Sequence, residues 1–175
     1  LLAGIVGGGE KLVHDIIICD SQGVISCSRK DLNSAKQASL EWSNKENKSG
    51  TLADVLRGAD VFIGLSQGNL INAAHVQSMH PDPIIFAMAN PDPEILPDEA
   101  ARGGAAVIAT GRGDFLNQVN NVLVFPGIFR GALDARVARI TPEMYVAAAY
   151  AIANLVPHPT KDRIIPNVLD AGVDV

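Results

Sequence analysis

"DVFIGLSQGNLINAAHVQSMHPDPIIFAMANPDPEILPDEAARGGAAVIATG", residues 60–111, decides the fold. Short apolar blocks, "DVFIG" (60–64), "PIIFAMAN" (83–90) and "AAVIATG" (105–111), read as strands. Between them "NLINAAHVQSM" (69–79) and "LPDEAARGG" (96–104) read as helices, the second with Pro97 and two acids in its first turn. Strands alternating with helices at this spacing imply βαβ crossovers. The expected fold is therefore α/β, a Rossmann-like, doubly wound and mostly parallel sheet with helices on both faces.

Working towards the N-terminus, "LVHDIIICD" (12–20) packs β-branched residues into a block that ends at Asp20, a buried strand running into the turn "SQG". The polar stretch 26–50 reads as a loop plus a surface helix, with weak helical spacing at Leu32, Ala35 and Leu40. "TLADVLRGA" (51–59) reads as a short helix capped by Thr51. Towards the C-terminus, "ITPEMYVAAAYAIANLV" (140–156) is a helix with Thr141 as cap and Pro142 at its first position, and a proline-punctuated tail follows. "NNVLVFPGIFRGALDARVA" (120–138) is ambiguous: its β-branched residues favour a strand, whereas Val122, Phe125, Phe129 and Leu133 follow helical spacing. A helix with Asn120 and Asn121 in its first turn is the preferred reading. The expected division is a dinucleotide-type domain over 1–156 and a tail over 157–175.

The 175 residues suit one domain, and 47% hydrophobic with 19% charged residues is an ordinary globular composition. A net charge of −5 argues against nucleic acid or an anionic membrane as partner. No apolar run approaches the roughly 20 residues that span a bilayer. Cys19 and Cys27 are too few for a disulfide scaffold and lack metal-ligand spacing, which suggests inert packing residues in a reducing cytoplasm. Full apolar stride at Leu1 and an abrupt "DAGVDV" ending suggest a piece of a longer chain.

In an open parallel sheet, ligands bind beyond the carboxyl ends of the strands. The tips are Asp20-Ser21, the run 64–68 ("GLSQG"), Ala89-Asn90-Pro91 and the run 110–113 ("TGRG"). A carboxylate at a strand end can accept both hydroxyls of a ribose, which makes Asp20 a candidate, although Asp-Ser-Gln-Gly is equally a common turn. "GLSQG" would let a cofactor approach the backbone closely, or be an ordinary strand-to-helix turn. Asn90 could bind a ligand or satisfy loop carbonyls. The glycines of "GIVGGGEKL" (4–12) precede a strand instead of following one, so they read as a connecting loop and not as a phosphate-binding turn. His14, His75, His80 and His158 have no ligand spacing, and neither a metal constellation nor a nucleophilic triad can be assembled. Asp92, Glu94, Asp98 and Glu99 read as helix-start charge, and Arg130, Asp134 and Arg136 as a solvated helix face. "NQVNNVLVFPG" (117–127) sets amides against an apolar run, where a stranded amide would cost about 1–3 kcal/mol. They either cap a helix or bind something.

"FAMANPDPEI" (86–95), "ATGRGDFLNQVNNVLVFPGIFRGALDAR" (109–136) and "ITPEMYVAAAYAIANLV" together resemble the cofactor-binding domain of malic enzymes, most closely the shorter bacterial type. The resemblance runs from "IIICDSQGVI" to "RIIPNV". It implies oxidative decarboxylation of malate to pyruvate with NAD or NADP and a divalent metal, Mg or Mn, in a homodimer or larger assembly. It also implies roles: Asp20 as ribose acid, Leu65, Ser66, Gly68 and Asn90 lining the dinucleotide, and Gly111 near the nicotinamide. Asn90 and Asn121 would donate amide hydrogen bonds to the malate carboxylate, with Asn117 and Asn120 ordering the loop. The family's Tyr acid, Lys base, metal carboxylates and Gly-rich loop have no counterpart here. Neither Tyr145 nor Tyr150 matches that acid, so the chain alone is expected to be inactive. An acid at Asp20 favours NAD, while Arg29 and Lys30 follow closely enough to accept the NADP 2′-phosphate. The rival readings are another NAD-dependent dehydrogenase and a non-catalytic regulatory or oligomerisation module.

Overall fold

A computed structural model describes residues 13–170 and Gly172. The glycine loop at 4–12 and most of the C-terminal "DAGVDV" lie outside the described residues. The chain forms two compact units, Leu1–Gly58 and Ala59–Val175.

In the first unit, β1 (Cys19–Asp20) pairs with β2 (Gly23–Val24) as an antiparallel hairpin, extended by the Ile25 N–H donating to the Ile18 carbonyl at 2.8 Å. This corrects the expectation of a buried strand over 12–20: Ile16, Ile17 and Ile18 are half-buried and lie outside β1. A strand needs a neighbour to pair its backbone, and among the described residues the ladder here is the hairpin's own return, with one further bond from the Asn44 N–H to the Ile16 carbonyl. Gly23 (φ +105°) makes that return possible, because a Cβ there would lie 2.4 Å from the Gly50 carbonyl oxygen. Helix α1 (Ser34–Ser39) is capped by Asn33, and α2 (Leu52–Leu56) by a capping box between Thr51 and Asp54. Asn44, buried and at φ +49°, donates from its side chain to the carbonyls of Ile25 and Lys48, accepts from the Lys48 N–H and donates its backbone N–H to the Ile16 carbonyl, tying three segments together.

The second unit carries the parallel sheet: β3 (Val61–Gly64), β4 (Ile84–Ala87) and β5 (Val107–Thr110), in the order β3-β4-β5. Register aligns Phe62, Ile85 and Ile108, and two residues on Gly64, Ala87 and Thr110. The crossovers are α3 (Ala73–Gln77) and α4 (Pro97–Arg102). Their buried Val76 and Ala100 join Phe62, Ile85, Ala87 and Ala109 in the core. The helices meet at Gly103, where a Cβ would fall 2.6 Å from the Val76 Cβ. The first crossover helix is shorter than its periodicity suggests, because the N–H groups of Asn69 and Ile71 donate to the carbonyls of Pro93 and Glu94 instead of entering a helix. Asn72 then caps α3, and the His75 Nδ1 accepts from the Asn72 N–H, a local capping role for a histidine without ligand spacing.

The ambiguous segment resolves into two pieces, a 3₁₀ turn (Asn121–Leu123) and α5 (Phe125–Asp134), with Pro126 in the first turn of α5 where its missing N–H costs nothing. The expected continuous helix is therefore broken at Val124. Its apolar stripe also points outward: Val122, Phe125, Phe129 and Leu133 are exposed, with the two Phe rings stacked at 5.7 Å, while Leu123 and Ile128 are buried. Helix α6 (Pro142–Asn154) starts with Pro142 as expected, although Thr141 makes no backbone cap bond. A cleft of about 380 Å³ separates α5 from α6, lined by Ile128, Met144, Ala148 and Ile152 among others.

Candidate functional site

The carboxyl ends of β3, β4 and β5 are level in register, and the loops leaving them open on one rim. Leu65 and Ser66 follow Gly64 directly, both exposed, Leu65 at 72%. Asn90 is exposed beyond β4 and precedes Pro91 through a cis peptide. Gly111 follows Thr110, and a Cβ there would have only the Met88 carbonyl within 3.4 Å, so this turn is open on its outer side. After the turn, Gln118 bridges in parallel to Thr110 and the Val119 N–H donates to the Thr110 carbonyl at 2.8 Å. Running parallel to β5, the chain carries Asn120 and Asn121 past the same sheet end. Asn120 caps the 3₁₀ turn by accepting from the Val122 N–H. The Asn121 side chain is exposed and makes no hydrogen bond among the described residues.

Two amides of "NQVNN" thus have structural work. Asn117, buried at φ +53°, donates from Nδ2 to the carbonyls of Ile108 (3.0 Å) and Lys161 (2.8 Å), and its Oδ1 accepts from the Ile164 N–H (2.8 Å). It clips residues 161–164 to β5.

The rim is held together by Glu94, which composition alone made look like helix-start charge. Asp98 and Glu99 do occupy the first turn of α4, whereas Glu94 is fully buried. Its Oε1 accepts from the Ser66 N–H at 2.9 Å and its Oε2 from the Ala89 N–H at 3.0 Å. Gly64 makes room, since a Cβ there would lie 2.3 Å from the Glu94 Cδ. Gly68 is likewise a packing glycine, because a Cβ would press within 2.7 Å of the Asp92 Cβ. The signal available in the sequence was an acid enclosed by Pro93 and Ile95, an apolar setting unlike that of a surface cap. Arg112 at the β5 tip pairs with Asp114 and lies 5.2 Å over the Phe115 ring, with Asp92 at 3.8 Å.

Asp20 belongs to the first unit, at the end of β1. Its carboxylate accepts from both terminal nitrogens of Arg29 (2.8 and 3.0 Å), from Lys36 Nζ (2.5 Å) and from the Gln22 N–H (2.8 Å). Arg29 first, then Lys36, holds this carboxyl well below the usual carboxylate range. The second cation is Lys36, supplied by α1, and not Lys30, which is exposed. Cys19 is half-buried, and burial, followed by the Asp20 charge, pushes its thiol up. Cys27 is exposed, which corrects its expected role in packing.

Among the described residues no group of three or more His, Cys, Asp or Glu side chains gathers as it would around a metal ion. No described helix is long and apolar enough to cross a membrane.

A level row of parallel-strand tips with small, open turns defines the class: a Rossmann-like α/β domain. The chain matches the malic enzyme NAD-binding domain over residues 6–172 and belongs to that family. It is 51% identical over 164 residues to the bifunctional malic/malolactic enzyme of Bacillus subtilis, covering 92% of this chain and 40% of that protein. It is also 51% identical over 153 residues to the NADP-dependent malic enzyme of Rhizobium meliloti, covering 86% and 20%. The crystal structure of the NAD-dependent malic enzyme of Thermotoga maritima superposes with a TM-score of 0.87 at 41% identity, covering 91% of this chain and 42% of that one. The chain thus spans well under half the length of each.

Proposed function

We propose that this chain is the dinucleotide-binding part of an enzyme that oxidises and decarboxylates malate to pyruvate and CO2. The observation that carries the reading is the common rim: Leu65-Ser66, Asn90, Gly111 and Asn121 all leave the same end of one parallel sheet. When bound, NAD or NADP supplies the hydride acceptor for oxidation at malate C2. Leu65 and Gly68 shape the loop against the dinucleotide, and Ser66 offers its hydroxyl, since its N–H is already taken by Glu94. The free amides of Asn121 and Asn90 donate to the malate carboxylate. The nicotinamide end of the cofactor faces the open Gly111 turn.

In the first unit, taken by itself, Asp20 is read as the ribose acid, with Arg29 and Lys36 already on its carboxylate. The carboxylate cannot take a ribose diol without loosening one of its cations, and the same cations suit a 2′-phosphate, so the site accepts NADP as well as NAD. The resemblance to the family implies that the chain on its own lacks turnover.

Titrating the 175-residue chain with NADH and NADPH, followed by nucleotide fluorescence, tests the cofactor half: saturable binding supports it. For the substrate half, Asn121→Ala in the full-length enzyme should raise the malate KM or lower kcat by about 10–100-fold, the cost of one hydrogen bond to a charged group. A fall in melting temperature with unchanged kinetics would instead make Asn121 a structural residue.

A further inference from the structure

We propose that Glu94 is the positioning residue of the dinucleotide rim: it sets the shape of the β3 and β4 loops together and thereby controls cofactor affinity without touching the cofactor. The inference rests on the reading of that rim as the dinucleotide site. One buried carboxylate spends one oxygen on Ser66 and the other on Ala89, the residues next to Leu65 and Asn90. The backbone adds two more ties between the same loops, from the Asn69 N–H to the Pro93 carbonyl (3.0 Å) and from the Ile71 N–H to the Glu94 carbonyl (3.1 Å). Segment 66–71 is thereby referenced to segment 89–94 at both its ends. Gly64 supplies the pocket, with no room for a methyl group in front of the carboxyl.

The chemistry explains why a carboxylate is used. Both partners are N–H donors, so both positions require an acceptor, and only a carboxylate accepts at two oxygens. An amide of the same shape turns one position into an N–H facing an N–H, which pushes one of the two loops away. The Ser66 N–H, although its residue is exposed, is withdrawn from any ligand, leaving the hydroxyl and the carbonyl to the rim.

The test uses the full-length enzyme that contains this chain, with and without Glu94→Gln. At a temperature where both proteins are folded, the dissociation constant for NADH or NADPH should rise by about tenfold or more, the consequence of one misplaced loop. The control is Val76→Ala, a core truncation in α3 away from the rim, which should lower the melting temperature while leaving that constant within about twofold. Equal constants for Glu94→Gln and the wild-type enzyme, or an equal rise in both variants, would overturn the positioning role while leaving the dinucleotide reading intact. A wild-type full-length enzyme that binds neither nucleotide would overturn that reading and this one with it. Hydrogen exchange on the wild-type enzyme needs no variant: the Ser66 and Ala89 amides should exchange as slowly as those of the β3–β4 ladder, and fast exchange at Ser66 would refute the bridge.

Discussion

Replacing Asn117 with Ala removes the clip between β5 and residues 161–164, and its cost can be worked out bond by bond. The Lys161 carbonyl belongs to an exposed residue and regains water, so its loss costs little. The Ile108 carbonyl and the Ile164 N–H belong to half-buried residues and lose their partner at about 1 kcal/mol each. Alanine at φ +53° adds about 1 kcal/mol of backbone strain that Asn tolerates better. The expected total is about 3 kcal/mol, or roughly 6–12 °C for a chain of this size. Urea denaturation followed by circular dichroism measures it. Asn117→Gly relieves the strain alone and should be about 1 kcal/mol milder than Ala. Asn117→Asp keeps the acceptor for Ile164 but turns a second oxygen towards two carbonyls, so it should be no better than Ala. A cost for Ala below about 1 kcal/mol, or an Asp variant clearly more stable than Ala, would refute the bonding scheme.

Three further outcomes follow from the same contacts. Because Arg29 and Lys36 depress the Asp20 carboxyl, its stabilisation is fully present above the ordinary carboxylate range and is lost as pH falls below it. The melting-temperature gap between wild type and Asp20→Asn should therefore hold from pH 7 to about pH 4 and narrow below that, and a gap closing near neutrality would contradict the ion pairs. Lys36→Ala should weaken NADPH binding several-fold more than NADH binding in fluorescence titrations, and equal effects would leave Lys36 as a partner of Asp20 alone. Gly103→Ala drives a Cβ into Val76 and should destabilise by about 1–3 kcal/mol in thermal melts, whereas Gly131→Ala, with open space around it inside α5, should stabilise by about 0.5–1 kcal/mol.

The alternation over 60–111 was enough to place β3, β4, β5 and the helices between them, because period and punctuation are local properties of the chain. Caps were legible for the same reason: Thr51 and Pro142 act within one turn of their own positions. The family resemblance rested on long contiguous stretches and held. Local pattern failed at "LVHDIIICD", where β-branched residues state a preference for extended backbone but not the presence of a neighbour to pair with. It failed again at Val122, Phe125, Phe129 and Leu133, whose spacing correctly signals a helix without saying which face the rest of the protein covers.

Order and type of the elements over 60–111 are thus determined by the sequence alone, since propensity and periodicity act over a few residues, whereas several element ends are not. Only the tertiary structure decided which polar groups are spoken for. Asn117 and Asn121 look alike in the chain, and so do Glu94 and Glu99, yet one amide is buried on three backbone partners while the other is free, and one acid joins two loops 28 and 5 residues away from it. Partners that distant in sequence are chosen by the packing of the whole unit, where a buried polar group must find its bond or forfeit stability.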